Sequence, residues 1–269
     1  MEEIKNDQNL NVENEEDIDL NIEVPNIPDY VIEIKDLYKS YGKKEVLKGL
    51  DLKVKKGEVF GYIGKNGIGK STTIDCIVGL KDYDSGEILV LGKDVKTQSL
   101  EVKEQIGYVP SEPVTYESMT GNEYLQFIGS SYGMIQSSFN KNYNFLLKKF
   151  GMNVIDMNRK IKEYSHGMKQ KICLMASLIH NPKVWILDEP TVGLDIIVYE
   201  VLLKMIKDFA AFGKTVFVTS HNIELVSKVC DRVAIINDGK IAEIIDFKKD
   251  PLKRKDLNKI FMKIYGGND

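Results

Sequence analysis

Between Gly64 and Thr72 the chain reads GKNGIGKST, with three glycines, two lysines and two hydroxyls in nine residues. Gly64-x-x-x-x-Gly69-Lys70-Ser71 is the spacing of a phosphate loop. Glycines let the backbone take unusual dihedrals and bring its N–H groups close to phosphate oxygens. A helix starting there adds the positive end of its dipole. Lys70 would reach the β- and γ-phosphates, and the Ser71 hydroxyl would ligate Mg²⁺. Such a metal needs a second protein anchor, an aspartate at the end of an apolar strand. The stretch VWILDEP supplies Asp188 in that setting. Beside it, Glu189 can polarise an attacking water, a general-base role worth about 10²–10⁴ in rate.

A second anion-ready segment is EYSHGMKQK, Glu163–Lys171, about twenty residues before Asp188. Ser165 and Gly167 open a helix there, combining a hydroxyl, a permissive backbone and a helix N-terminus. Taken alone, Ser165 is an ordinary N-cap. A chain with one complete cradle has no internal use for half of another, but a second copy would: the half-cradle can close over nucleotide held by its twin.

The elements that must position these groups are legible in the hydrophobic pattern. GEVFGYIG is an apolar strand that runs directly into the glycine loop, and STTIDCIVGL after it places Ile74, Ile77 and Val78 at helical spacing. VIEIKDLYKSY and EVLKGLDLKVKKG alternate as half-buried strands, and DSGEILVLGKDV reads as a hairpin. Residues 115–182 are mostly helical in pattern. Strand and helix then alternate again through KVWILDE, VYEVLLKMIKDFAAFG, KTVFVTSH and NIELVSKVCD, closing on a hairpin through Asn237-Asp238-Gly239. The tail DLNKIFMKIYG stripes Leu257, Ile260, Phe261 and Ile264 on one helical face. The fold class expected is α/β: a P-loop NTPase core with an antiparallel β subdomain and an inserted α-helical subdomain.

Composition narrows the class. In 269 residues, 43% hydrophobic and 29% charged, apolar stretches such as Val184–Leu187 are only strand-sized, well short of the ~18 residues of a membrane span. Cys76, Cys173 and Cys230 are odd in number and widely spaced, which argues for buried thiols in a reducing cytosol. Residues 1–30 hold ten acids and one base, so the rest of the chain carries +6 within a total of −3. Residues 1–29 therefore read as a disordered acidic tail, residues 30–245 as the nucleotide-binding domain and residues 246–269 as a C-terminal helical tail. A body at +6 is too weakly basic to suggest a nucleic-acid partner, and none is expected.

From about Val31 to Ile245 the chain resembles the nucleotide-binding subunit of ABC transporters. GKNGIGKST is similar to that family's Walker A, which implies nucleotide contacts from Gly64, Lys65, Asn66, Gly67, Gly69, Lys70, Ser71 and Thr72. YSHGMKQK is similar to its signature, VWILDEP to its Walker B, VGLD with Asp195 to its D-loop, and His221 in TSHN to its switch histidine. Tyr41 in SYGKKEV matches the aromatic that stacks on adenine. The resemblance implies an ATPase using ATP and Mg²⁺. Two cassettes, as homodimer or heterodimer, would bind two ATP molecules head to tail, each loop facing the other chain's Ser165, His166 and Gly167. Glu189 and His221 would be catalytic; Ser71 and Asp188 would hold the metal. A separate transmembrane permease would keep the ATPase cytoplasmic, peripheral on the inner face of the cell membrane. Its docking groove would lie near Pro110–Glu123, with Met119 and nearby aromatics on the surface and Leu125 and Phe127 in the core.

Two departures stand out. Ser111 in GYVPSEP occupies the place of a glutamine that touches magnesium in the family; with the shorter side chain, a bridging water can replace the direct contact. His166-Gly167-Met168 replaces Gly-Gly-Gln after the signature serine. Gly-Met-Lys-Gln and Ser-Glu-Pro are similar to exporting cassettes of the ABC-2 type, such as those for bacitracin or lantibiotics. The alternatives are a non-transport ABC ATPase and a partly degenerate ATP-dependent switch.

Overall fold

The computed structural model describes residues 28–266. The expected acidic tail lies outside the described residues apart from Pro28 and Asp29. Two sheets and a set of helices form the expected α/β architecture. Strands β1 (Tyr30–Tyr41), β2 (Lys44–Lys55), β4 (Ser85–Val90) and β5 (Lys93–Asp94) make an antiparallel sheet in the order β2-β1-β4-β5. The other sheet contains β3 (Val59–Ile63), β6 (Ile106–Val109), β7 (Val184–Asp188), β8 (Thr215–Thr219), β9 (Arg232–Asn237) and β10 (Lys240–Asp246), in the order β10-β9-β3-β8-β7-β6. All neighbours in it run parallel except β10, which returns antiparallel beside β9.

The six-stranded sheet is the middle layer, so its central strands are buried on both faces and read as continuous apolar runs. Side chains still alternate between faces. Trp185 and Leu187 pack with Val216 and Val218 on one side; Ile186, Phe217 and Phe60 pack on the other, against the antiparallel sheet and helix α1 (Lys70–Ile77). The first side is covered by α6 (His166–Leu178), α7 (Ile196–Ala211), α8 (Ile223–Val229) and α9 (Leu252–Tyr265). The five-residue α2 (Ser99–Lys103), absent from the pattern reading, links β5 to β6.

Residues 121–178 form the helical insertion: α3 (Gly121–Ser131), α4 (Gln136–Phe150), α5 (Val154–Met157), a short 3₁₀ turn and α6. Helix α3 opens with a reciprocal cap in which Thr120 N–H donates to the Glu123 carboxylate and Glu123 N–H to the Thr120 hydroxyl. Leu125 is fully buried as expected, but Phe127 is exposed. Two residues along a helix turn the side chain through about 200°, so Phe127 leaves the core and meets Tyr116 edge to face at 5.5 Å. All three cysteines are buried and unpaired.

His180 fastens the insertion to the sheet. Its ring stacks on Tyr132 at 3.7 Å, and Nε2 lies 3.1 Å from the Ile106 carbonyl. Nδ1 is buried without a partner. Burial pulls the imidazole pKa from 6.5 down to about 4, partly opposed by the Ile106 carbonyl. A group whose folded pKa is depressed in this way holds its neutral form above pH 6.5 and destabilises the fold as pH falls toward 4, because the unfolded chain takes up the proton first. Wild type should therefore lose about 1–2 kcal/mol more than His180→Gln between pH 7.5 and pH 5; denaturant midpoints at the two pH values measure the difference.

Candidate functional site

The site is built at the carboxyl ends of β3, β8 and β7, three neighbouring parallel strands. Tyr62 of β3 pairs with Thr219 of β8, which pairs with Asp188 of β7. The chain leaves β3 into Gly64–Gly69, leaves β7 into Glu189 and leaves β8 into Ser220 and His221. Residues some 120–160 positions apart thus meet because strand ends must line up when their backbone ladders do.

Gly69 takes φ +117° just before α1, a conformation costly to any residue with a Cβ. The first helical residue is Lys70, whose ammonium donates to the Gly64 carbonyl at 2.8 Å and the Lys65 carbonyl at 3.3 Å. Burial lowers its pKa, and the charges of Glu189 and Asp188 counter that. Thr73 donates to the Gly69 carbonyl at 2.9 Å and shares a hydrogen bond with Tyr62, so the start of α1 is tied to β3.

Asp188 is 2% exposed. Burial raises its pKa, while hydrogen bonds from Thr219 and Ser71 lower it and the neighbouring Glu189 raises it further. A carboxylate, two hydroxyls and no soft ligand form a hard-oxygen donor set; it fits Mg²⁺, which takes few protein ligands and completes its shell with phosphate and water. Among the described residues no group of three or more His, Cys, Asp or Glu could hold a metal by itself.

Glu189 adopts φ +49°, rare for a residue with a side chain. The turn directs its carboxylate across the strand ends. Oε2 accepts from Ser220 Oγ at 3.2 Å and His221 N–H at 3.2 Å, and lies 2.9 Å from His221 Nδ1. Oε1 is buried without a hydrogen-bond partner, 3.9 Å from the Lys70 ammonium. One oxygen is thus held by the segment after β8, and the other is left without a hydrogen bond on the side of the Lys70 ammonium. Thr219 and Ser220, which bond the two carboxylates, carried no weight in the sequence reading. Both lie in the TSHN stretch that singled out His221.

The remaining motif residues sit around this centre. Tyr41 ends β1 as an exposed ring, with the Lys39 and Lys81 ammoniums 5.2 and 5.6 Å from its centroid. Ser111 follows β6, half-buried, on the strand end beside β7. Lys65 turns its side chain toward the end of α9, while Asn66 and Gly67 are exposed and Thr72 half-buried on the loop and first helical turn. Ser165 caps α6, accepting from Met168 N–H at 3.2 Å. The His166 ring lies against Gly193, where an added Cβ would come within 2.1 Å of it. Gly167 faces the Gly193 carbonyl. Asp195 caps α7 and lies 3.9 Å from Lys171. Signature and D-loop segments are thus neighbours in one chain, and buried Gln170 joins α6 to the Pro190 carbonyl after Glu189.

Residues 47–192 match the ABC transporter family. The chain belongs to that family. It is 39% identical over 214 residues to the linearmycin resistance ATP-binding protein LnrL of Bacillus subtilis strain 168, covering 80% of this chain and 68% of that protein. It is 35% identical to the lantibiotic transport ATP-binding protein SrtF of Streptococcus pyogenes, covering 78% and 89%. A solved ATP-binding subunit of an ABC transporter superposes with a TM-score of 0.82 at 28% identity, covering 87% of this chain and 99% of that one. This ABC protein is accordingly an ATP-binding transporter subunit whose reaction is ATP hydrolysis.

Because burial disfavours the charge on Asp188, removing that charge should steady the ligand-free ABC subunit. Asp188→Asn is expected to raise its thermal midpoint by about 2–4 °C, the shift that about 1 kcal/mol produces in a domain this size. The further stabilisation that Mg²⁺ adds to ATP should disappear. Thermal scans with and without Mg-ATP measure both effects.

Proposed function

We propose that this subunit hydrolyses ATP at a site completed by a second cassette and so powers export through a separate permease. The observation carrying the reading is the cluster of Lys70, Glu189 and His221 on adjacent strand ends, with one Glu189 oxygen unpartnered. The loop from Gly64 to Thr72 cradles the triphosphate, and Tyr41 stacks on the base. Ser71 and Asp188 would hold Mg²⁺, which would supply charge neutralisation to the phosphates, and Ser111 would contribute to it through a bridging water. Glu189 takes the proton of a water as its oxygen bonds to the γ-phosphorus and the β–γ bridging bond breaks. His221 orients Glu189 and meets the γ-phosphate. Ser165, His166 and Gly167 of the other cassette close over the same phosphate, and Asp195 beside them lies at the dimer seam.

Residues 30–245 act as the nucleotide-binding domain. Among the described residues no helix is long and apolar enough to cross a membrane; the proposal assigns the path for cargo to a separate permease. A cavity of about 580 Å³ between β6 and the insertion, with Tyr108, Pro110, Val114, Tyr124 and Tyr132 on its walls, is the proposed permease dock. Docking there holds the subunit on the cytoplasmic face of the membrane. The antibiotic-related names of LnrL and SrtF support export over import.

Glu189→Gln should keep ATP binding and lower turnover by about 10²–10⁴, and ATP should shift the variant toward a dimer on size-exclusion chromatography. Undiminished turnover would remove Glu189 as the base. Ser111→Gln should restore a longer reach to the metal and raise permease-stimulated ATPase several-fold. Equal stimulated rates in the two proteins would separate Ser111 from coupling.

A further inference from the structure

The phosphate loop is held from outside its own motif. Tyr265, the last residue of α9, accepts a hydrogen bond from Lys65 N–H at 3.2 Å, and its hydroxyl donates to the Ile236 carbonyl. The Lys65 ammonium returns to the Tyr265 carbonyl at 3.3 Å and lies 4.8 Å from the centre of its ring. A Cβ on Gly64 would come within 2.9 Å of the Tyr265 oxygen. The residues that α9 grips, Gly64 and Lys65, are also those whose carbonyls hold the Lys70 ammonium.

Helix α9 is itself firmly seated. Leu257 is fully buried, and Phe261 packs on Tyr265 at 4.7 Å. Arg254 donates to the carbonyls of Ser227 and Cys230 at the end of α8, the helix that begins just after His221. One C-terminal helix therefore joins the histidine-bearing segment to the start of the phosphate loop. Ile236 belongs to β9, the strand beside β3, so the Tyr265 hydroxyl also bridges β9 and the loop. Tyr265 lies beyond the region that matches the family, which ends at residue 192.

We propose that Tyr265 is a positioning residue for nucleotide binding: its hydroxyl fixes the Gly64–Lys65 backbone, and with it the carbonyls from which Lys70 reaches phosphate. The proposal rests on reading Gly64–Thr72 as the nucleotide loop. A hydroxyl serves here because it accepts from one backbone group and donates to another at the same atom. Phenylalanine keeps the ring contacts but leaves Lys65 N–H and the Ile236 carbonyl without their partner. The loop must then be ordered at the moment of binding, a cost shared by ground and transition states. Such a loss raises KM and leaves kcat in place.

The test uses the full chain with ATP. Tyr265→Phe is expected to raise the ATP Kd and KM about 10-fold, the factor that one ordinary hydrogen bond is worth, with kcat within about twofold of wild type. Lys65 amide exchange should be slow in wild type and fast in the variant. A merely structural role for α9 predicts a lower thermal midpoint with KM unchanged, and an unchanged KM overturns the proposal. Fast Lys65 exchange in wild type overturns it too, even should Tyr265→Phe fail to fold. Lys70→Ala is the control: ATP binding retained by it refutes the loop reading, whereas binding lost there and unchanged in Tyr265→Phe refutes the Tyr265 inference alone.

Discussion

The alignment of three parallel strand ends is the constraint on which the site depends. Backbone ladders place Tyr62, Thr219 and Asp188 side by side. Once that register is set, the loop after β3, the glutamate after β7 and the histidine after β8 must share one edge of the sheet. The ladder is buried on both faces, so a slip of one residue would invert every apolar contact it makes. Packing energy spread over both cores thereby becomes positional precision for a few polar groups.

Those polar groups are costly to hold. Lys70, Asp188 and Glu189 sit in a largely buried cluster where desolvation works against the charges of Lys70 and Asp188. Their mutual attraction and the hydroxyls of Ser71, Thr219 and Ser220 offset part of that cost. What remains is an arrangement short of ligands, with an unpartnered carboxylate oxygen and an ammonium resting on backbone carbonyls. On the proposed reading a phosphate would meet the ammonium and a water would meet the carboxylate oxygen, and electrostatic preorganisation of this kind stabilises transferring phosphoryl groups.

The helical insertion is coupled to that centre through a few contacts. Gln170 reaches Pro190, His166 rests on Gly193, and Lys171 lies near Asp195. At the other end, His180 stacked on Tyr132 ties the insertion to β6 beside the groove. The groove and the Lys70–Glu189 cluster therefore share α6 and the β6–β7 edge, a short physical route between the proposed dock and the proposed nucleotide site.

The motif residues, the order of strands and helices and the helical middle of the chain were legible in the sequence because each depends on local spacing: glycines where the backbone must bend, apolar residues at a period of two or 3.6. The α/β class followed from the same periods. What the pattern could not supply was contact between distant segments. Phe127 lies among apolar residues in the sequence yet faces outward, because the helix azimuth is set by which neighbours pack. Thr219 and Ser220 become partners of Asp188 and Glu189 only through strand register. Tyr265 reaches Lys65 across 200 residues. The sequence by itself determined the chemistry available and the local elements that carry it. Tertiary structure alone decided which groups are paired, which are left open and how the last helix meets the first loop, because strand order and helix docking arise from burial summed over the whole core and leave no local trace in the chain.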